Sequence, residues 1–149
     1  MKTKIYHDSM GCTQKSLQNL RNELSRRIDN NISVFKYSSG EICCGYIIVD
    51  KTTNEVIVTG DGFRTDGGGE GGAGYNTAQR LFQIFGIDVH NVYDNITSPL
   101  LSYTENEQER KQQELFIENK LLKELEKQNY LEWDTDRIIS ENNPGYIRN

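Results

Sequence analysis

The sequence predicts an α+β fold: a small antiparallel β-sheet with an N-terminal helix packed on it, a Gly-rich loop, and a long C-terminal helix, in an oligomeric assembly. Three observations carry this. Residues 13 to 30 repeat apolar side chains at helical spacing, residues 32 to 59 hold three strand-like runs joined by short turns, and the chain from residue 104 is helical in pattern but strongly polar.

Thr13 to Asn30 places Leu17, Leu20, Leu24 and Ile28 three or four residues apart, with Thr13 as a candidate N-cap and Arg21, Arg26 and Arg27 on the other face. Asn30 and Asn31 end it. Ile32 to Tyr37 alternates apolar and polar, Ser38 to Glu41 reads as a turn, and Ile42 to Val49 is a continuous run suited to a central strand. Asp50 to Asn54 turns the chain into Glu55 to Thr59. Short turns between consecutive strands imply an antiparallel meander covered by the first helix. Tyr75 to Phe85 carries Ala78, Leu81, Phe82 and Phe85 on one stripe, with Gly86 placed to stop the helix, and Ile87 to Val89 fits a short strand. Asn91 to Tyr103 is loop-like, broken at Pro99. The long helix from Thr104 has Leu115, Phe116, Leu122 and Leu125 as its apolar stripe, and Glu105 to Glu114 faces solvent, a ligand or another chain. Trp133 to Ile139 fits a last short helix before a polar tail.

A length of 149 residues suits one domain over 1–149, and a net charge of -5 argues against a general nucleic-acid or anionic-membrane binder. No stretch approaches a membrane span, and Met1 to Asp8 lacks an apolar signal core, so a soluble intracellular protein is expected. Cys12, Cys43 and Cys44 make an odd set without metal spacing and read as free thiols.

Residues 60 to 74 contain eight of the thirteen glycines, between a strand-like run and a helix-like one. Such density suits places where side chains are unwanted or left-handed backbone is required. Backbone amides leading into a helix start form an anion site, which suggests a phosphate-bearing ligand. A surface hinge and a divalent-metal loop built on Asp61, Asp66 and Glu70 are the competing readings. The run lacks the P-loop Gly-Lys-Ser/Thr, the dinucleotide fingerprint register and the EF-hand spacing. Near it, Arg64, Arg80 and Arg110 are the basic candidates for phosphate, and Phe63, Tyr75, Phe82 and Tyr93 the aromatic candidates for a base. For Phe82 the competing reading is core packing, and for Arg110 a solvated pairing with Glu107 or Glu114.

Enzyme motifs are missing: neither His7 nor His90 lies in one, and no Gly-x-Ser-x-Gly or His-Glu-x-x-His occurs. Binding without turnover is the simpler expectation, with no cofactor and no metal. A metal-dependent nucleotide-processing enzyme using the acidic glycine-rich loop is the alternative, and inhibition of a host protein through the long helix a third.

The run from Thr59 to Tyr75, followed by the helix bearing Phe82 and a long polar helix, resembles the Thoeris anti-defence proteins of bacteriophages. The resemblance implies a homodimer or higher homo-oligomer in the cytoplasm of an infected bacterium. Such a protein sequesters, without cleaving it, the cyclic ADP-ribose isomer made by TIR-domain enzymes, glycocyclic ADP-ribose. Some members also hold cyclic oligonucleotides, such as cyclic di- or trinucleotides, in separate sites. By resemblance, Phe82 is the ring under the adenine, Arg110 contacts the pyrophosphate or ribose with Asn91 nearby, and Arg27, or equally Arg26, reaches the pocket of a second subunit. Tyr75 is the expected ligand contact beside the loop, and Arg64 and Thr65 are those for a second ligand.

Overall fold

A computed structural model describes residues 2–38, 41–91 and 104–116, together with position 119. The elements run β1 (Lys2–Ile5), a 3-10 turn (His7–Ser9), α1 (Thr13–Arg26), β2 (Ile32–Ser38), β3 (Cys43–Asp50), β4 (Glu55–Val58), β5 (Phe63–Arg64), α2 (Gly69–Phe85), β6 (Val89–Asn91) and α3 (Glu107–Phe116). The expectations for the Ser38–Glu41 turn, the loop before Tyr103, Leu122, Leu125 and the last short helix fall wholly or partly outside the described residues.

The central strands form the expected meander: β2 pairs antiparallel with β3, and β3 with β4. The sheet as a whole is mixed, which corrects the antiparallel expectation. Its order is β1-β4-β3-β2-β6, with β5 paired to β3, and the two outer pairings, β1 with β4 and β2 with β6, are parallel. Strand β1 escapes a pattern search because it is four residues long and two of them are exposed lysines.

Alternation along the strands divides the core in two. Val34, Cys44, Tyr46, Ile48 and Ile57 face α1 and α2 and meet Leu20, Leu24, Ala78 and Phe82; Phe35, Ile47, Val49, Val56 and Val58 face the other way, with Ile5, Met10 and the half-buried Phe116 of α3. Helix α1 stops at Arg26, so the phase of its stripe is lost and Ile28 is left 67% exposed.

Helix α2 begins at Gly69, six residues before the expected start. Much of the expected loop is therefore structured: Phe63 and Arg64 are strand, and Gly69, Gly71, Gly72 and Gly74 are helix. Close packing explains several glycines. A Cβ on Gly62 would lie 2.4 Å from the Cys12 carbonyl carbon, and one on Gly74 2.4 Å from Thr13 Cγ2, so the run closes directly on the start of α1. Gly86, at φ 68°, stops α2 as expected.

Candidate functional site

The cleft with the most chemistry forms where β1 hands over to the 3-10 turn. Ile5 to Ser9 make one wall, Lys15, Gln18 and Asn19 of α1 another, and Arg110 of α3 the third, around a volume of ≈ 430 Å³. Spacings of three and four put the three α1 residues on one helical face, the polar one.

Its frame is held by small hydroxyls. Ser9 Oγ lies 2.7 Å from the carbonyl oxygens of both Tyr6 and Thr59, Ser16 Oγ donates to the Ser9 carbonyl at 2.8 Å, and Gly62 N donates to Ser16 Oγ at 3.1 Å. Gly60, at φ 125°, leaves no room for a side chain between these serines. Asp61 Oδ1 accepts from Gly11 N at 2.6 Å, which ties the glycine segment to the loop before α1. The glycine-rich region thus supports the cleft from behind.

Arg110 is positioned by the start of α3. Asn106 Oδ1 accepts from the amides of Gln108 and Glu109 at 2.9 and 3.2 Å, a side-chain cap of the helix. Arg110 Nε donates to the Thr104 carbonyl at 2.9 Å. Among the described residues neither Glu107 nor Glu114 forms an ion pair with the guanidinium, so the expected solvated pairing is absent there.

His7 is buried in the cleft wall, and among the described residues its Nδ1 has no hydrogen-bond partner. Burial, then the Arg110 guanidinium, lowers its pKa below the ordinary histidine value, against the opposing pull of Glu114 and Asp8. The imidazole is therefore neutral near pH 7. Arg110 and Lys15 supply positive charge, Gln18 and Asn19 amide donors, and Asp8 one carboxylate: a lining suited to a small anion with polar substituents.

The other sequence-derived candidates lie elsewhere. Phe82 is 2% exposed, with its ring centroid 4.8 Å from that of Tyr46 at 65°, so it has core neighbours rather than a free face. Tyr75 is half-buried on the same helix, with Lys36 Nζ 3.4 Å from its hydroxyl. Asn91 ends β6 opposite Lys36. Arg64 grips Asp66 through Nε at 3.1 Å and Nη2 at 2.6 Å, and Asp66 Oδ1 accepts from Gly68 N at 3.0 Å. Asp66 thus answers the Arg64 guanidinium and the amide of Gly68, the residue just before α2. Thr65 turns back to bond the Ile42 carbonyl through its amide at 2.8 Å.

Arg27 overturns the expectation of an outward arginine. It is 3% exposed, and its Nη1 lies 2.5 Å from Asp50 Oδ2 and 3.2 Å from Glu55 Oε1, with Glu23 3.7 Å from Nη2. Residue 27 follows Leu20, Glu23 and Leu24 by seven, four and three positions, in phase with the buried face of α1. Arg26 keeps the outward position, 2.7 Å from Glu23 and 61% exposed.

Of the residues singled out in the sequence, Arg110 alone lines the cleft. His7, Lys15, Gln18 and Asn19 were passed over; the last three were legible as a polar i, i+3, i+4 face, whereas nothing local marks His7. Among the described residues no group of three or more His, Cys, Asp or Glu is arranged to hold a metal ion, and no helix is long and apolar enough to cross a membrane. Comparison with family models, curated proteins and solved structures finds no match to this chain.

Proposed function

We propose that this protein captures a nucleotide-derived signal, glycocyclic ADP-ribose, and holds it without cleaving it. The observation that carries the reading is the convergence of Arg110, a phosphate contact suggested independently by sequence, with Lys15 and His7 on one cleft of ≈ 430 Å³. That volume lies within the range of about 300–1,000 Å³ usual for small-molecule sites.

In this reading Arg110 and Lys15 take the pyrophosphate, and Gln18 and Asn19 bond the ribose hydroxyls. Phe82 supports the fold instead. Holding suits the lining better than turnover, because acid-base work at His7 would call for a second group hydrogen-bonded to the imidazole to orient it, and among the described residues Nδ1 has none. The resemblance to the Thoeris anti-defence proteins adds the setting: a homo-oligomer in the cytoplasm of an infected bacterium, with cyclic di- or trinucleotides as further ligands at other sites.

The test is to incubate the purified protein with glycocyclic ADP-ribose, remove free ligand, release the bound fraction by heat and weigh it. Intact ligand in proportion to protein supports capture. A changed mass produced over repeated turnovers, or no retained nucleotide, overturns it.

A further inference from the structure

The lining of the cleft is uneven in its hydrogen bonding. Lys15 and Arg110 only donate, Gln18 and Asn19 each offer donors and an acceptor, and Ser9 Oγ is already held by the carbonyls of Tyr6 and Thr59. Among the lining residues Asp8 alone brings a carboxylate, a group that accepts without donating.

The turn fixes where Asp8 points. A 3-10 turn sets successive side chains about 120° apart, and in His7–Ser9 the outer two, His7 and Ser9, are both buried. The middle side chain is therefore turned out of the fold, and Asp8 is exposed where it lines the cleft. The cations stand on other elements, Lys15 on α1 and Arg110 on α3. Behind the lining, Glu114 of α3 and Lys4 of β1, whose ammonium lies 4.5 Å from the centroid of the Tyr6 ring, add one charge of each sign. These two offset one another, so the lining stays polarised, with cations from two helices and a carboxylate from the turn.

Beside a bare anion such a carboxylate is a penalty, because it repels the charge that the cations attract. Beside a ligand that carries a sugar as well as phosphates it has a partner. A ribose diol brings O–H donors that Lys15 and Arg110 cannot satisfy, whereas a carboxylate accepts from both hydroxyls.

We infer that Asp8 anchors a ribose diol in this cleft and makes the cleft selective for an unphosphorylated sugar. The phosphates engage Lys15 and Arg110 and the diol of the terminal ribose engages Asp8, which fixes the direction in which the ligand lies. A phosphate on that sugar sets like charges side by side, the same discrimination that an acidic residue exerts at the ribose of a dinucleotide. The inference rests on the cleft being the ligand site, as in the capture reading, but it concerns which sugar is accepted rather than the identity of the signal.

The experiment is calorimetric titration of the full chain with three ligands: ADP-ribose, its analogue lacking one hydroxyl of the terminal diol, and the derivative phosphorylated at that hydroxyl. ADP-ribose is expected to bind about tenfold or more tightly than either of the others. Asp8→Asn keeps the size and one acceptor oxygen but loses the charge, so the deficit of the phosphorylated derivative shrinks to about threefold or less. In Asp8→Ala the deoxy analogue binds within about threefold of ADP-ribose. These are ratios between ligands on one variant, which a loss of folded protein would not move. Equal affinity for the three ligands in the unaltered chain, ratios that persist in both variants, or no ADP-ribose binding overturns the inference. A chain that discriminates among the three yet fails to retain glycocyclic ADP-ribose keeps the inference and loses the capture reading, and retention without discrimination does the reverse.

Discussion

Arg27 and Asp50 are 3% and 0% exposed, so neither charge can be satisfied by water. Asp50 is held by Asn30 Nδ2 at 2.8 Å as well as by Arg27, and its Oδ1 accepts from the amides of Thr52 and Thr53 at 2.9 and 3.1 Å. Removing one member of such a pair leaves the other charge buried and uncompensated. Asp50→Ala is expected to cost about 3–5 kcal/mol, read from the shift of the urea midpoint at constant slope. Burial pushes the Asp50 pKa up, but Asn30, Arg27 and Thr53 outweigh it and hold the value below the ordinary 3.8. A depressed carboxylate contributes stability that is full above its unfolded pKa and lost as pH falls through the folded one, so this contribution disappears below pH 3.8. His7 acts in a separate window: its folded pKa lies below 6.5, so stability declines as pH falls past that value and the unfolded chain takes up the proton first. Thermal unfolding across pH should show both slopes, and His7→Asn should abolish the upper one.

At the scale of elements, the glycine run is where local preference and tertiary structure part company. Each helical glycine costs about 1 kcal/mol relative to alanine, and α2 carries Gly69, Gly71, Gly72 and Gly74 in its first six residues. Close packing compensates at three of them: a Cβ on Gly71 would meet the Arg64 side chain at 2.7 Å, one on Gly72 the Gly67 backbone at 2.3 Å and one on Gly74 Thr13 Cγ2 at 2.4 Å, whereas Gly69, at φ 58°, has open space and answers to backbone conformation. Gly74→Ala, although it raises helix propensity, should therefore destabilise the fold by about 1–3 kcal/mol through the clash with Thr13, whereas Ala73→Gly next to it should act only through propensity. Chemical denaturation of the two variants separates the effects. The same conflict explains what sequence alone could yield. Helix α1 and strands β2 to β4 were legible because their apolar periods agree with their packing, and the stop at Gly86 because it is a local matter of backbone conformation. The start of α2 and the pairing of β1 depend on distant partners, and no local period records them.

For the molecule as a whole, the cleft is assembled from β1, the 3-10 turn, α1 and α3, which meet only after folding. Arg110 could be singled out because the resemblance implied a phosphate contact there, whereas its polar helix turn alone read as a solvated pairing with Glu107 or Glu114. His7 could not, because its significance comes from being covered. The arginine expected to reach into a partner's pocket instead ties the end of α1 to the β3–β4 turn of its own chain. Arg110→Ala should weaken ligand binding by about 1.5–3 kcal/mol with an unchanged melting temperature, whereas Phe82→Ala should cost about 3–5 kcal/mol of stability as a core truncation. Measuring both quantities for both variants distinguishes a ligand contact from a packing residue.

Strand β1 leads straight into the cleft, yet its hydrogen-bonded neighbour is β4, with Lys2 set beside Glu55. Closing so wide a loop is entropically costly until the intervening helix and hairpin exist, so docking of this strand is expected late in folding. A chain still emerging from the ribosome would then have most of its core before it can grip anything, and competence to bind would arrive together with the final step of maturation.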